Sequence, residues 1–487
     1  MKTLVYAISA LVLLASSARA TDYYVATNGN DFWPGTKALP FKTPYKAVQT
    51  ATQPGDTIFL RGGVYAPPPW GLGLGASGLP GQLITLRSYP GETAVIDGAN
   101  LDPGTNAINI AASYRRVEGL EVCNSAFTGI SLYGPGSFVH DIEIVGNTVH
   151  DCWNSAIYAG TNTVSDPIRD ILIEGNVGYR CVLMNEGHPL GGGWGYGMGA
   201  GVARNVVVRG NTIFENQGEG LGFYLSEDCT AEGNTLYDNF SVQLYLDNAS
   251  SCRLVGNVAT TTGNPDFFRF GEPAVCVQIA NEDYGVYLPS ADNVIANNVL
   301  IGGRHAFYYG SYQMGGGLRT TRFVNNTAHG STSALLKIDA DAGHADSLFA
   351  NNVLDQTRTA ALTLLLGSMA EIDFHHNLWH GGQPAPAAAG VGDLLAAPHY
   401  RDAAQEDLHL VASSPGIDAG QNAVALEAGL VHDHDGRRRA LEVPSAADCT
   451  AAPGTCGPAP VVDLGAFELP AGDQAPSGLV PLPGTGG

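Results

Sequence analysis

One short motif, an asparagine preceded by glycine, asparagine or histidine, recurs along most of this 487-residue chain. Its closest copies are 23 residues apart, which is enough chain for one coil of three short β-strands. Between copies lie β-branched runs such as DIEIV and NVVVR, as expected of strands on a narrow core. The motif asparagines are Asn147, Asn176, Asn211, Asn234, Asn257, Asn298, Asn326, Asn352 and Asn377.

A repeat of this kind predicts an all-β solenoid, because each coil then needs only its neighbours for burial. Asparagine tolerates a left-handed corner, and its amide can bond the equivalent amide of the next coil. The leucine-rich frame L-x-x-L-x-L is missing, and a propeller would need longer units. We therefore predict a right-handed parallel β-helix of about nine to eleven coils, with asparagines that serve architecture rather than catalysis.

The first residues match a secretory signal. Lys2 precedes an apolar run from Leu4 to Leu14, and Ala18-Arg19-Ala20 is a small-x-small cleavage site. We expect residues 1–20 to be removed on export, and the mature chain to be secreted or held at the cell surface.

Without the signal the chain has 22 basic and 46 acidic residues. So acidic a protein is a poor partner for nucleic acid or anionic lipid. It also repels a polyanionic sugar unless a cation intervenes. We expect a monomer that does not insert into membranes, binds an extracellular polysaccharide and needs no organic cofactor.

The predicted organisation has four parts after the signal. Residues 21–100 hold an N-terminal cap and the first coils, with a short amphipathic capping helix from Tyr45 to Thr52. Residues 101–395 form the β-helix, 396–470 a C-terminal segment, and 471–487 a flexible Pro/Gly tail.

The eight cysteines give one pairing prediction. Cys449 and Cys456 bracket a Pro/Gly loop and are expected to form a disulfide. Two further pairs should stack on adjacent coils, either as bridges or as buried thiols; they are Cys152 with Cys181, and Cys229 with Cys252.

Two segments carry a resemblance to known families. Residues 23–65 contain N-G-x-D, P-G-T, P-F and P-G-D-T-I, and resemble the N-terminal segment of secreted pectate-lyase-like β-helix proteins. The runs DLHLVASSPGIDAG, DHDGRRR and VDLGAFE resemble the choice-of-anchor Q domain, which implies surface retention and not a reaction. The coils resemble β-helix proteins related to polysaccharide lyases, although the calcium-binding aspartate cluster of family 9 pectate lyases is not recognisable.

The repeat register predicts which side chains face solvent. Even positions near +10 and +12 from each motif asparagine are apolar and should face the core, so the odd positions should face outward. Outward tyrosines and carboxylates can bind an extended glycan by stacking and hydrogen bonding. The predicted outward residues include Tyr158, Tyr224, Tyr245, Asp247, His305, Tyr309, Lys337 and Asp339.

Two long excursions, 181–201 and 260–293, should form walls beside this face, because long loops in a solenoid are usually functional. The predicted cleft is floored by Tyr224, Tyr245 and Asp247. The predicted substrate-binding residues are Tyr224, Tyr245, Tyr309, Trp194, His188 and Glu282.

Lyase chemistry needs a base beside a uronate carboxylate and a positive group to stabilise the enolate. Lys337, His305 or Tyr309 could be the base, and Arg269 could supply the positive charge. Calcium held by Asp247, Asp339 and Asp283 could replace it. The predicted catalytic residues are Lys337, His305, Arg269, Asp247 and Asp339.

The predicted function is degradation of an extracellular polysaccharide by β-elimination. Hydrolysis is the first alternative, with Asp247 paired to Asp339, Glu282 or Asp283 across the scissile bond. The second alternative is a non-catalytic surface protein that binds or adheres to glycans.

Overall fold

The computed structural model describes residues 20–188, 195–285, 289–313, 315–358, 360–440, 448–449 and 452–469. The strands of the first third are β1 (Asp22–Val25), β2 (Thr57–Leu60), β3 (Gly63–Tyr65), β4 (Leu72–Leu74), β5 (Ile84–Ser88), β6 (Ala94–Asp97), β7 (Ile108–Ile110), β8 (Arg115–Glu118), β9 (Leu120–Cys123), β10 (Ile130–Tyr133), β11 (His140–Val145), β12 (Thr148–Cys152) and β13 (Ile157–Gly160). The middle strands are β14 (Ile168–Glu174), β15 (Val177–Cys181), β16 (Tyr196–Gly201), β17 (Ala203–Arg209), β18 (Thr212–Phe214), β19 (Glu219–Tyr224), β20 (Thr230–Glu232), β21 (Thr235–Tyr237), β22 (Val242–Asp247), β23 (Arg253–Val255), β24 (Val258–Thr260), β25 (Val275–Asn281) and β26 (Val294–Ala296). The last strands are β27 (Val299–Ile301), β28 (Phe307–Ser311), β29 (Arg322–Val324), β30 (Thr327–His329), β31 (Leu336–Ile338), β32 (Ser347–Ala350), β33 (Val353–Asp355), β34 (Thr363–Leu365), β35 (Ile372–His375), β36 (Leu378–His380), β37 (Leu394–Leu395), β38 (Tyr400–Asp402) and β39 (Asp407–Leu410). The two α-helices are α1 (Pro44–Thr50) and α2 (Asn422–Glu427).

These strands stack into three long parallel sheets, so the predicted right-handed parallel β-helix is confirmed. Sheet A runs from β1 to β35 and sheet B from β3 to β37, with 13 strands each among the described residues. Sheet C runs from β4 to β34 and has 11 strands. Successive coils pair in register, and among the strands of the described ranges only the short β38–β39 pair is antiparallel.

The motif asparagines form one continuous ladder inside the corner between sheets A and B. Each side-chain Nδ2 donates to Oδ1 of the next copy; for example, Asn211 donates to Asn234 at 2.9 Å, and Asn234 to Asn257 at 2.9 Å. The preceding residue takes the left-handed backbone, as Gly210 does at φ 61° and Asn297 at φ 56°. The turn is therefore made by the first motif residue, and the second satisfies buried backbone groups.

Helix α1 covers the N-terminal end of the coils, and it begins one residue earlier than predicted. Thr43 caps the helix by accepting a hydrogen bond from the Lys46 amide, and Ala47 and Val48 are buried. Asp31 accepts bonds from the amides of Lys42 and Thr43. This acid therefore shapes the turn before the helix.

The described residues after 396 pack against the outside of sheets A and B. Val424 and Leu430 join a cluster with Val324 of sheet A, and Leu410 and Leu464 join another with sheet B. Sheet C takes no part in these clusters. The segment therefore stabilises the coils on faces other than the one that sheet C presents.

The cysteine predictions are resolved by the structure. Cys449 and Cys456 form the predicted disulfide. Cys152 and Cys181 are paired neighbours on β12 and β15, and both are buried free thiols. The stacked pairs are thus thiol ladders rather than bridges.

No helix within the described ranges is both long and apolar enough to cross a membrane.

Candidate functional site

Sheet C presents two columns of outward side chains. The first column, in coil order, is Ser131, Tyr158, Gly199, Gly222, Tyr245, Gln278, Tyr308 and Lys337. The second is Tyr133, Gly160, Gly201, Tyr224, Asp247, Ala280 and Gly310. Small residues therefore alternate with tyrosines along the same face.

The glycines of these columns make room for tyrosine rings that lie along the sheet. A Cβ on Gly222 would lie 2.2 Å from the Tyr196 ring, and one on Gly201 would lie 2.1 Å from the Tyr158 hydroxyl. Both approaches are far closer than van der Waals contact. Glycine is therefore required where each ring crosses the neighbouring strand.

The result is a cleft of about 660 Å³. Its walls combine three carboxylic acids with six tyrosines and several short polar side chains. The acids and tyrosines are Glu219, Asp247, Glu282, Tyr133, Tyr158, Tyr196, Tyr224, Tyr245 and Tyr284. Such a surface offers both ring faces and hydrogen-bonding groups, which is what a glycan requires.

A hydrogen-bonded network holds the carboxyl end of β22 against the loop after β25. The Tyr284 hydroxyl lies 2.6 Å from Asp247 Oδ2 and 3.0 Å from Glu282 Oε2. Tyr245 donates to Glu282 Oε1 at 2.7 Å. Asn248 fixes the loop backbone, since it accepts from the Glu282 amide and donates to the Glu282 carbonyl.

Asp247 differs from the other members of the network because one of its carboxyl oxygens makes no hydrogen bond to any described residue. Only 3% of the residue is exposed, and buried Oδ1 has no hydrogen-bond partner among the described residues. Burial, reinforced by the Glu282 charge, raises the pKa of Asp247 to about 7, although the Tyr284 bond opposes this. Asp247 can therefore gain or lose a proton near neutral pH.

Glu219 faces the same cleft from β19, beside its paired neighbour Tyr196 on β16. Burial raises its pKa well above the ordinary value, and the charges of Asp247 and Glu282 add to this. Arg269 opposes the shift, but its Nη1 is held by the Ser241 hydroxyl at 2.9 Å. Glu219 thus favours the neutral, hydrogen-bond-donating form.

The cleft tyrosines favour the neutral phenol for the same reason. Burial raises the pKa of Tyr224, Tyr245 and Tyr284, and the Asp247 charge raises it further. These hydroxyls are therefore donors rather than bases.

The structure brings together five residues predicted for the site: Tyr224, Tyr245, Asp247 and Glu282 line the cleft, and Arg269 lies near Glu219. His188 stands apart, stacked on Phe240 and bonded to Gln217 Oε1 at 2.9 Å. Trp194 lies outside the described residues.

Tyr309 and His305 were predicted to face outward, and the structure shows that this prediction is wrong. Tyr309 is fully buried and pairs with core residues Ile279 and Ile338, while Tyr308 faces outward. The coil after Asn298 reaches its outward position one residue earlier than its neighbours, so the count from the motif slips. His305 is also buried, its Nδ1 lies 2.6 Å from the Ala334 carbonyl, and burial lowers its pKa to about 4.

Lys337 and Asp339 lie outside the cleft. They form an ion pair at 3.2 Å beside the Tyr308 ring. Their strand β31 is three positions from β22 in the sheet, roughly 14 Å away. Asp247 and Asp339 therefore cannot share one cation or flank one glycosidic bond, contrary to the prediction.

The predicted calcium ligands fail to converge for a second reason. Asp283 is exposed, and its Oδ1 accepts from the Gly285 amide. Within the described residues, no three carboxylate or imidazole donors of the cleft lie within 4.8 Å of one another. We therefore assign no calcium chemistry to this site.

Five acids and tyrosines of the cleft were not among the predicted site residues: Glu219, Tyr133, Tyr158, Tyr196 and Tyr284. Glu219 escaped because Gly197 and Gly220 both point inward, which breaks the alternation on which the register count relies. The glycine-tyrosine runs GYGMGAG and EGLGFY were the available signal, since they mark rings that lie against neighbouring strands.

Together the fold and the cleft define a right-handed parallel β-helix protein with a glycan-sized groove on one sheet. A family model described as "Pel9A-like, right handed beta helix region" matches residues 23–243, slightly less than half of the chain.

Curated relatives match over short regions. Pectate lyase PEL9 of Emericella nidulans is 42% identical over 88 residues, which cover 18% of this chain and 21% of that protein. The uncharacterized protein YwoF of Bacillus subtilis is 35% identical over 136 residues, covering 26% and 28%. Pectate lyase L of Paenibacillus polymyxa is 34% identical over 132 residues, covering 26% and 29%. The chain therefore spans less than a third of each relative.

Solved structures match over nearly the whole chain. Pectate lyase Pel9A gives a TM-score of 0.50 at 17% identity, covering 93% of this chain and 97% of that one. A complex of XylC with xylose gives 0.55 at 13% identity, covering 93% and 99%. At these identities the likeness establishes the fold alone.

Proposed function

We propose that this protein is a carbohydrate-active enzyme that cleaves an acidic polysaccharide by β-elimination in the sheet C cleft. One observation carries the proposal. Asp247 is a buried carboxyl with a pKa of about 7 and one unpartnered oxygen, inside a glycan-sized groove lined by tyrosines. The named pectate lyases among the partial relatives support the same reaction class.

β-Elimination begins with removal of the proton next to the uronate carboxylate. Asp247, ionised above its pKa, is the base in this proposal, and its free Oδ1 is the atom that takes the proton. The electron pair of the broken C–H bond forms the new double bond, and the glycosidic C–O bond breaks. The leaving oxygen takes a proton from a tyrosine hydroxyl of the cleft. Tyr224 is the candidate donor, because it is the paired neighbour of Asp247 on the adjacent strand.

Charge on the substrate carboxylate must be balanced as the enolate develops. Glu219 in its neutral form and the tyrosine hydroxyls are hydrogen-bond donors in a partly buried site. The same division between an ionised carboxylate base and a neutral carboxyl donor serves enzymes that abstract a proton beside a carbonyl. It also lets an acidic cleft accept an acidic sugar.

A glycoside hydrolase is the second candidate, because the cleft has more than one carboxyl group with a raised pKa. In that case neutral Glu219 would donate to the leaving oxygen, and ionised Asp247 would act from the other side of the bond. Its product would have a new reducing end and no double bond.

The test is incubation of the purified chain with polygalacturonate, alginate, a glycosaminoglycan and a neutral xylan. Lyase activity gives ultraviolet absorbance from unsaturated ends, and Asp247→Asn should reduce it at least a hundredfold. Asp283→Asn is the matched control, since Asp283 is an exposed acid of the adjoining loop and should leave the rate unchanged.

Two results would contradict β-elimination. Reducing ends without unsaturated products would establish hydrolysis. Binding of a glycan without any product would establish a binding protein.

We also propose export, because the pattern at residues 2–20 is that of a cleaved signal. Expression in a secreting host and N-terminal sequencing of the medium fraction tests this. Retention of Met1 in the recovered protein would contradict it.

A further inference from the structure

A second cluster of reactive side chains lies on sheet B, away from the cleft. Glu121 and Cys123 point outward from β9, and His150 points outward from β12, where it is the paired neighbour of Cys123. One donor atom from each of the three lies within 4.8 Å of the other two. The register of two adjacent coils thus gathers a carboxylate, a thiol and an imidazole at one point.

The orientation of His150 is fixed by groups outside the cluster. Its Nδ1 lies 2.6 Å from Asp151 Oδ2, and Arg180 holds that carboxylate with bonds of 2.8 and 2.7 Å. The ring also stacks on Tyr179 at 4.9 Å between centroids. A carboxylate that accepts from Nδ1–H directs the Nε2 lone pair of a metal-binding histidine in the same way.

This orientation directs the other ring nitrogen into the cluster. Nε2 lies 3.4 Å from Glu121 Oε1, so an imidazole nitrogen and a carboxylate oxygen meet beside the Cys123 thiol. Asp97, the paired neighbour of Cys123 on β6, adds further negative charge.

We propose that Glu121, Cys123 and His150 form a binding site for a divalent transition-metal cation, with Zn²⁺ as the best match. Thiolate, imidazole and carboxylate are the ligands of Zn²⁺, whereas Ca²⁺ and Mg²⁺ prefer oxygen alone. Ligand atoms around tetrahedral zinc are about 3.5 Å apart, so the three need to close only slightly. A water or Asp97 completes the coordination.

Binding must release the Cys123 proton to solvent, since the thiolate is the ligand. Burial and the charges of Asp97 and Glu121 raise the pKa of the free thiol to about 11. The metal must therefore displace this proton as it binds. The site ties β9 to β12 and would stabilise the first coils rather than take part in cleavage.

Cobalt is the probe that tests the site directly. The full chain is freed of metal with a chelator, dialysed and titrated with Co²⁺, and the thiolate-to-cobalt absorbance is followed in the near ultraviolet. We expect one equivalent to bind, and Zn²⁺ to displace it. Cys123→Ser should abolish the band, and Glu121→Gln should weaken binding at least tenfold.

His380→Gln is the control, because this surface histidine also contacts an aspartate but lies far along the same sheet. It should leave the titration unchanged. The absence of a thiolate band in the unaltered protein, or its persistence in Cys123→Ser, would overturn the proposal.

Thiol alkylation gives a second measurement that needs no variant. Zn²⁺ should slow alkylation of Cys123, identified by peptide mass, at least tenfold. An equal rate with and without Zn²⁺ would overturn the site.

Discussion

A buried carboxyl that titrates near neutrality links activity to stability at one residue. Asp247 has a folded pKa of about 7, above the value of an unfolded aspartate. The folded state therefore binds the proton more tightly, and the stabilisation is complete below the unfolded pKa. This contribution to the free energy of unfolding falls as pH rises toward 7, by up to about 4 kcal/mol.

Asp247→Asn should therefore be the more stable protein above pH 7, because the amide carries no charge and can still accept from Tyr284. Urea unfolding at a series of pH values measures this, and the difference should shrink as pH falls toward 4. A variant less stable than the parent at pH 8 would contradict the raised pKa. In the same range the lyase rate of the parent should rise with pH, since the ionised form is the base.

Gly222 lies at a position where there is no room for a side chain. A Cβ there would meet the Tyr196 ring at 2.2 Å, so Gly222→Ala should push the ring into the cleft. We expect at least a tenfold fall in kcat/KM with little change in the circular dichroism spectrum. Gly73→Ala, on β4 of the same sheet with open space around its Cβ, should be silent. Equal effects of the two changes would contradict the role of Tyr196.

The asparagine ladder is the element that holds successive coils in register. Asn234 donates to Val208 O and Asn257 Oδ1, and accepts from the amide and Nδ2 of Asn211. Asn234→Ala leaves buried partners unsatisfied and should reduce the free energy of unfolding by about 2–4 kcal/mol. Thermal or urea denaturation checks this, with exposed Asn100→Ala as the control, expected within about 0.5 kcal/mol. A loss no larger than that of the control would show that the ladder contributes little.

The same ladder explains how much could be predicted from sequence. A recurring motif determines the coil, its strands and most of its inward positions, because these follow from short-range periodicity. The prediction fails at Tyr309, because the coil has one residue fewer before this strand and its inward and outward positions are therefore exchanged. It fails again at Glu219, because two inward glycines interrupt the alternation. Convergence of β22 with the loop that holds Tyr284 depends on loop conformation, which no periodicity encodes.

At the scale of the whole molecule, a buried arginine of the C-terminal segment is paired within that segment and also bonds to the coils. Arg439 contacts Glu468 at 3.0 Å and donates to Asn297 Oδ1 and Gly465 O. Arg439→Met leaves the Glu468 charge buried without its partner, at a cost of about 3–5 kcal/mol.

Limited proteolysis should then cut the segment after residue 396 at least tenfold faster than in the parent. Exposed Arg438→Met is the matched control and should be cut at the parental rate. Unchanged proteolysis of Arg439→Met would show that the remaining apolar contacts and hydrogen bonds hold the segment without Arg439.

The asparagine ladder also has a direction, since each rung from Asn147 to Asn352 donates its amide to the next motif asparagine along the chain. Gain or loss of part of a coil would leave one asparagine amide without an equivalent amide opposite it. Gain or loss of a complete coil keeps each motif asparagine opposite another motif asparagine. The length of the groove can therefore change only in whole coils, and finer adjustment is left to the loops between them. Fragment exchange between β-helix proteins should accordingly succeed at equivalent rungs and fail between them.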